Sequence, residues 1–496
     1  MFFATRNRQP SGTLVTVVAG AEYKAVKLAF GNGSAPKRDF RFHFSGYGLT
    51  EGGVSPAESL VPNSVQTLDS VEIVYGGATY AMTLASSTVP AGGLGVWAAG
   101  VLPVDVAADA VFGVNVIYHG AVGNTQVPVY QVQPQRGERV YGAADLAGVQ
   151  ALLAAGGASN LAETASYWGP DIMVAKGWDA RPVALVLCDS IGDQKNDDRL
   201  HADDRGNQGY LRRWLDRKDA VYGRVAHQMM GVSGAHAEFE LLATNVPGSS
   251  PASPSIKRWQ VLDEVIAFNG GQPPWTVIIN QMAQNDIATT LPVTLTRVNG
   301  LLDRLLARYP GQLIVGLTLL PNTTSTDNWR TRASQSPRTN AAINGWGGVK
   351  YQYNDYVMSG MDGRLAASID AYAPLHDATY PGTYPPPLFT TTLAVQAGTN
   401  GTATYTSIVV NDAPELGAFL VWGTPSSSNA NHAGAVIAVD GTGPFTVTLD
   451  RTATQVAAAG TEVWAPSCAD QVHPEEYLCS WMAEAIAQTE KGKLKG

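Results

Sequence analysis

Hydrophobic and polar positions along the chain fall into three regimes. From residue 1 to about 135 the apolar residues come in short runs rich in β-branched and aromatic side chains. VQTLDSVEIVYGGATYAMTL (65–84) holds two such runs around a Gly-Gly turn, which is hairpin chemistry, and VFGVNVIYHG (111–120) reads as a further strand. No helical period of useful length interrupts them, so residues 1–135 are expected to form an N-terminal β domain of sandwich type. Residues 136–180 read as a connector, with ADLAGVQALLAAGG (144–157) a short helix closed by a glycine pair.

From Pro182 the pattern alternates between strands and helices. VALVLCDS (183–190), WTVIINQMA (275–283), QLIVGLTLLP (312–321) and AASIDAYA (366–373) are the expected strands, and MMGVSG (229–234) a short strand and turn. Between them LRRWLDRKDAVYGRVAHQM (211–229), IKRWQVLDEVIAFNG (256–270), TLTRVNGLLDRLLARYP (294–310) and NAAINGWGGVKYQYNDYVM (340–358) read as helices. In the third of these, Leu295, Val298, Leu302 and Leu305 recur at spacings of three and four. This alternation predicts an α/β fold, a parallel sheet covered on both faces. The period then reverts to short strands and turns over 380–466, before SCADQVHPEEYLCSWMAEAIAQ (467–488) restores a helix. The α/β domain is therefore expected over 181–379 and 467–496, with an all-β module inserted over 380–466.

The length of 496 residues suits several domains rather than one core. A net charge of −9 without any long Lys/Arg block argues against nucleic acid as a partner. No apolar run reaches membrane-spanning length, and the N-terminus lacks the pattern of a signal peptide, so a soluble protein is expected and its compartment stays open. The three cysteines, Cys188, Cys468 and Cys479, are too few for a disulfide scaffold and lack zinc spacing. Cys468 and Cys479 are candidates to pair, with free buried thiols as the other reading.

One apolar run ends abruptly in chemistry. Strand 183–190 delivers Ser190 at its end, where ligands bind in open parallel sheets. A serine there is either a nucleophile or a turn starter. As a nucleophile it needs a histidine base held by a carboxylate. Asp470-Gln471-Val472-His473-Pro474 offers both within one turn, and Pro474 with Glu475 and Glu476 suits the start of the final helix. A plain helix cap with a chance histidine is the competing reading. Two further strand ends offer donors for an oxyanion: the Gly234 N–H and the Asn285 side-chain amide. Their ordinary readings are a turn glycine and an Asn-Asp turn.

Taken together and in this order, the motifs resemble the four blocks of the SGNH (GDSL-type) hydrolase family. Its Gly-Asp-Ser block matches Cys188-Asp189-Ser190, its second-block glycine Gly234, its Gly-x-Asn-Asp block Ala283-Gln284-Asn285-Asp286, and its Asp-x-x-His-Pro block Asp470 to Pro474. Cys188 and Ala283 depart from family glycines. The resemblance covers about 181–379 and 467–496. It implies a flavodoxin-like three-layer sandwich in which Ser190 is the nucleophile, His473 the general base and then acid, and Asp470 its orienting partner. It further implies an oxyanion hole made by the Ser190 and Gly234 backbone N–H groups and the Asn285 amide. An α/β-hydrolase is the nearest rival, but its Gly-x-Ser-x-Gly elbow is broken at Cys188.

Asp189, Trp329 and His376 are candidate substrate-binding residues, with packing or rim positions as their plainer readings; His201 and His236 are weaker rim candidates. The acidic stretch GDQKNDDRLHADDRGNQ (192–208), with Asp193, Asp197, Asp198, Asp203 and Asp204, lacks EF-hand spacing and reads as a solvated loop, so no metal site is expected. The implied chemistry needs no cofactor. The expected function is a serine esterase acting on acylated carbohydrate, O-acetyl esters first, through an acyl-enzyme. The carbohydrate part rests on the layout of two β modules beside the α/β core. The alternatives are a lipase-like or thioester hydrolase, and a glycan-binding surface or phage-tail protein.

Overall fold

The computed structural model describes residues 2–5, 9, 13–50, 58, 61–62, 64–163, 165–177, 180–193, 203–242, 256–327, 329–338, 340–397, 405–414, 419–422, 433–453, 457–466 and 476–495. Asp470, His473, Cys468, His201, Asp197 and Asp198 lie outside the described residues.

Five strands form the parallel sheet: β1 (Val183–Leu187), β2 (Ala226–Met229), β3 (Val277–Asn280), β4 (Leu313–Leu317) and β5 (Ala367–Ile369). Their spatial order is β2-β1-β3-β4-β5, with every neighbouring pair parallel. This is the flavodoxin-like order, in which the chain reverses direction across the sheet between β1 and β3 and opens a crevice beyond their carboxyl ends. The β1 sequence VALVL is buried at all five positions, as a strand covered on both faces requires. Its alternate residues serve two cores. Val183, Leu185 and Leu187 pack with α2 (Lys257–Phe268) and α3 (Leu291–Arg308). Ala184 and Val186 pack with α1 (Tyr210–Asp216) and α5 (Glu476–Ala485). Tyr353 and Val357 of α4 (Val349–Met358) join the first core.

The expected helix over 211–229 is shorter than its apolar spacing suggests. It stops at Asp216, and 226–229 is strand β2. The Asp219 carboxylate accepts the Val221 and Tyr222 N–H groups and Gly223 turns with a positive φ, which breaks the helix; Val221 is exposed. The expected helix over 340–358 is likewise split into Ala341–Asn344 and α4, with a glycine turn between them.

Before the sheet, two antiparallel sheets face each other across one apolar core. One contains Lys37–Phe44 and Val96–Val106, the other Tyr23–Gly31, Gln66–Tyr75 and Val111–His119. The segment read above as a connector supplies strands to both: Arg139–Ala143 pairs with Tyr23–Gly31, and Ile172–Ala175 pairs with Lys37–Phe44. Each is only four or five residues long, too short for period alone to reveal. The helix between them, Leu146–Ala155, is capped by Asp145 and ended by left-handed Gly156.

This sandwich is fused to the parallel domain. Phe3, Tyr47, Trp97, Ile172 and Val174 share a core with Val183, Leu185, Trp259 and Leu262. Glu58 reaches across to α2, where its carboxylate accepts the N–H groups of Ile256 (2.9 Å), Lys257 (2.7 Å) and Arg258 (3.1 Å). Orphan donors of a helix start are thus satisfied by a residue about 200 positions away. Trp97 donates to Glu264 at 2.6 Å farther along the same helix. Glu58→Ala is expected to lower stability by about 2 kcal/mol, because it removes a cap and strands buried donors. Glu58→Gln should cost less. Urea midpoints that match the parent for both would show that the cap contributes nothing.

The inserted module is a closed six-stranded antiparallel barrel of order 389–392, 462–465, 419–422, 433–440, 445–453, 405–410. The hydrogen bonds Ala394 N–H to Val409 O (2.8 Å) and Asn411 N–H to Thr392 O (3.0 Å) join the last strand to the first. Among the described residues these bonds and the Leu393–Val410 bridge bring the two edge strands together. The barrel has its own core around Val410, Leu420, Trp422 and Val447. Val421 and Trp464 form a separate buried pair across neighbouring strands. Arg330, from the loop after β4, lies over the Trp464 ring and pairs with Glu462, which fastens the barrel to the parallel domain.

Candidate active site

Three loops meet beyond the carboxyl ends of β1, β2 and β3. Val186 of β1 pairs with Met229 of β2, and Leu187 with Asn280 of β3, so the loops leave neighbouring strands. After β1 the chain turns at once. The Asp189 carboxylate accepts the Ile191 N–H at 3.0 Å and the Asp189 carbonyl the Asp193 N–H at 2.9 Å. Asp189 is fully buried and shapes this turn from beneath. Ser190 rides on the turn, 6% exposed. After β2, Gly234 has φ +85°, a conformation that favours glycine and directs the turn.

The β2 and β3 loops are tied together. The Asn285 amide donates to the Ala235 carbonyl at 2.9 Å, which leaves its second N–H for another acceptor. The Asp286 carboxylate accepts the Ala237 N–H (2.9 Å) and Glu238 N–H (3.3 Å). Burial pushes the Asp286 carboxyl up to about 7, against the pull of those two donors. His236 stands 3.8 Å from Asp286; burial, with the Arg297 charge, lowers it to about 4, so it is neutral at pH 7.

The two departures from family glycines have distinct structural accounts. Cys188 is buried against Gly231 and Gly192: a methyl group on the first would overlap its sulfur, and one on the second its Cβ. The larger side chain is thus matched by two neighbours that lack one. Burial, with the Asp193 and Asp189 charges, pushes the Cys188 thiol up, so it is an inert packing group. Ala283 instead keeps a glycine-like backbone, φ +147°. Strain of this kind costs on the order of 1–3 kcal/mol and collects at functional sites. Ala283→Gly is expected to raise stability by about 1 kcal/mol after the added unfolded-state entropy is subtracted. A shifted denaturant midpoint at constant m-value would register it; a drop would mean that the alanine methyl packs better than its backbone is strained.

Helix α5 begins three residues after His473. Its Leu478 and Cys479 are buried in the same core as Cys188 and Ile191. The described start of α5 therefore shares its core with the residues on either side of Ser190. Cys188 is a free, buried thiol.

Trp329 is buried and donates its indole N–H to Thr323 at 2.9 Å, so it packs within its own loop. His376 is exposed beyond β5, its ring 5.2 Å from Trp346 and 5.8 Å from Tyr372. The acidic stretch is not simply solvated: Asp193 is buried and paired with Arg212, and Asp203 accepts the Arg205 and Asn207 N–H groups. Arg205 in turn holds Asp216 and the Asp109 carbonyl, which binds this loop to the sandwich. Among the described residues no group of three or more His, Cys, Asp or Glu is arranged to hold a metal ion, and no helix is long and apolar enough to cross a membrane. Sequence reasoning passed over Glu58, whose partners are distant in sequence, and Trp346, which sat inside an expected helix.

No protein-family model and no curated protein matches the chain. Solved structures similar to it include a carbohydrate esterase family 2 enzyme with a carbohydrate binding domain from Corynascus thermopiles (Myceliophthora fergusii). That enzyme is 10% identical, with 77% of this chain and 93% of that one covered at a TM-score of 0.28. A putative GDSL-like lipase from Parabacteroides merdae is 14% identical over 41% of this chain and 88% of its own, TM-score 0.25. A carbohydrate acetylesterase from Sinorhizobium meliloti is 12% identical over 41% and 91%, TM-score 0.25.

Proposed function

We propose that the protein is a serine esterase that removes acyl groups, O-acetyl first, from carbohydrate. The observation that carries the reading is the meeting of three loops at the point where the sheet order reverses. One bears Ser190, and the other two, bearing Gly234 and Asn285, are joined by the Asn285–Ala235 hydrogen bond. In this reading Ser190 attacks the ester carbonyl while His473 takes its proton. Asp470 holds the imidazole in the required tautomer. The Ser190 and Gly234 N–H groups and the free N–H of the Asn285 amide receive the negative charge that develops on the carbonyl oxygen. His473 then returns the proton to the leaving alcohol, and water repeats the sequence on the acyl-enzyme. The barrel, fastened at Arg330, contributes to the choice of polymer.

The test is direct. The protein is incubated with nitrophenyl esters of increasing acyl length and with acetylated polysaccharides, and acetate release is followed. Labelling of Ser190 by a fluorophosphonate is read by peptide mass. Turnover that favours acetate, with label on Ser190, is expected. Absence of both would remove the esterase reading, and turnover that rises with chain length would move it to a lipase-like enzyme.

A further inference from the structure

The sheet's carboxyl edge carries a second feature, at the opposite end from β2. Trp346 is 54% exposed. It is nonetheless held in place: its ring lies 4.9 Å from Tyr351, 6.1 Å from Tyr372 and 5.2 Å from His376. The turn that presents it is fixed by its glycines. A Cβ on Gly345 would strike the Ala341 carbonyl, one on Gly348 would come within 2.7 Å of the Ala342 carbonyl, and Gly347 has φ +77°. The Asn344 side chain adds a hydrogen bond to the Arg338 carbonyl at 2.9 Å. A large aromatic surface is thus kept in water on a rigid mount, when burial of the ring would have been favourable.

His376 lies beside the ring. Asp377 follows His376 directly and lies 3.6 Å from the Arg332 guanidinium. Tyr372 and His376 follow β5, and Arg332 follows β4, so the cluster belongs to the same edge of the sheet as Ser190. The linker to the barrel is anchored here too, because Arg332 donates to the Leu375 and Thr383 carbonyls.

We propose that Trp346, with Tyr372 and His376, forms a subsite that stacks one sugar ring of a carbohydrate chain whose acylated unit lies at Ser190. This deepens the esterase reading and rests on it. A pyranose matches the place chemically: its axial C–H face is apolar and packs on an aromatic face, and its equatorial hydroxyls need donors and acceptors at the rim, which His376 and the neighbouring Asp377 supply. The distance sets the size of the substrate. Three inter-strand steps separate β1 from β5, about 14 Å at the usual strand spacing. One monosaccharide does not span that distance, so the substrate is an oligosaccharide or polymer.

The experiment uses the full chain, with acetylated xylan, acetylated glucomannan and acetylated pectin as probes beside nitrophenyl acetate. Trp346→Ala is expected to raise the half-saturating concentration of the preferred polymer about tenfold with kcat little changed, the scale of one lost stacking contact. The polymer-to-nitrophenyl-acetate ratio of kcat/KM should fall by the same factor. Trp346→Phe should restore most of it. Retardation of the Ser190→Ala protein in gels that contain each polymer, with and without Trp346→Ala, reads binding apart from catalysis. If the parent hydrolyses no ester but Trp346 governs retardation, the esterase reading fails and the subsite stands. If polymer kinetics and retardation ignore Trp346, if Trp346→Ala harms both substrates equally, or if no polymer is bound, the subsite is rejected.

Discussion

Ser190→Ala is expected to lower kcat on any ester substrate by roughly 10³-fold or more, with the fold kept. The size follows from the role. Without Oγ no acyl-enzyme forms, and the remaining donors can assist only direct attack by water. The fold should survive because the local turn is held by Asp189, through its carboxylate bond to Ile191 and its carbonyl bond to Asp193. Stopped assays of acetate release, paired with a thermal melt, separate the two effects. Parent-like turnover from a well-folded Ser190→Ala protein would end the serine-nucleophile reading.

Asn285→Ala should cost about 10²–10³ in kcat with little change in KM, the scale of one lost oxyanion donor. The structure adds a second consequence. The Asn285 amide also fastens the Ala235 carbonyl at 2.9 Å, next to Gly234, so its loss loosens the other proposed donor as well. The kcat loss is therefore expected toward the upper end of the range, with a stability loss of about 1 kcal/mol from the broken hydrogen bond. Steady-state kinetics on nitrophenyl acetate decide the matter. A raised KM at constant kcat would place Asn285 in ground-state binding and remove it from the oxyanion hole.

The parts of the fold that sequence made legible are those in which one short segment carries its own pattern. VALVL could hardly be other than a buried strand, and Leu295 to Leu305 spelled out one face of α3, where Val298, Leu302 and Leu305 are buried. The serine, glycine and asparagine stood out because each follows such a strand. What stayed hidden depends on partners far away in the chain. Ile172–Ala175 is a strand only because Lys37–Phe44 lies beside it. The helix expected over 211–229 failed because Asp219 and Gly223 outweigh an apolar spacing that Val221 happens to extend. The burial of Trp329 and the exposure of Trp346 were hidden for a similar reason. Burial of an indole is decided by the loop that wraps it, and Thr323 and Ser325 wrap Trp329.

The geometry of the barrel's two ends bears on how such a protein diversifies. The first and last strands, Phe389–Thr392 and Glu462–Ala465, are paired, with Phe389 opposite Ala465. The chain therefore leaves and returns at nearly one point, and the described strands between pair with one another around their own core. To the host domain such an insertion is topologically equivalent to a short loop, because the loop-closure cost depends on the separation of the ends and only weakly on what hangs between them. Recombination can exchange it for another module of any size whose ends meet. The sandwich has no such freedom, since α2 takes its cap from Glu58 and its core from Trp97 and Tyr47. In a lineage of these proteins, exchange of whole modules is expected at 389–465, and the sandwich to change only by substitutions compensated across its interface with α2.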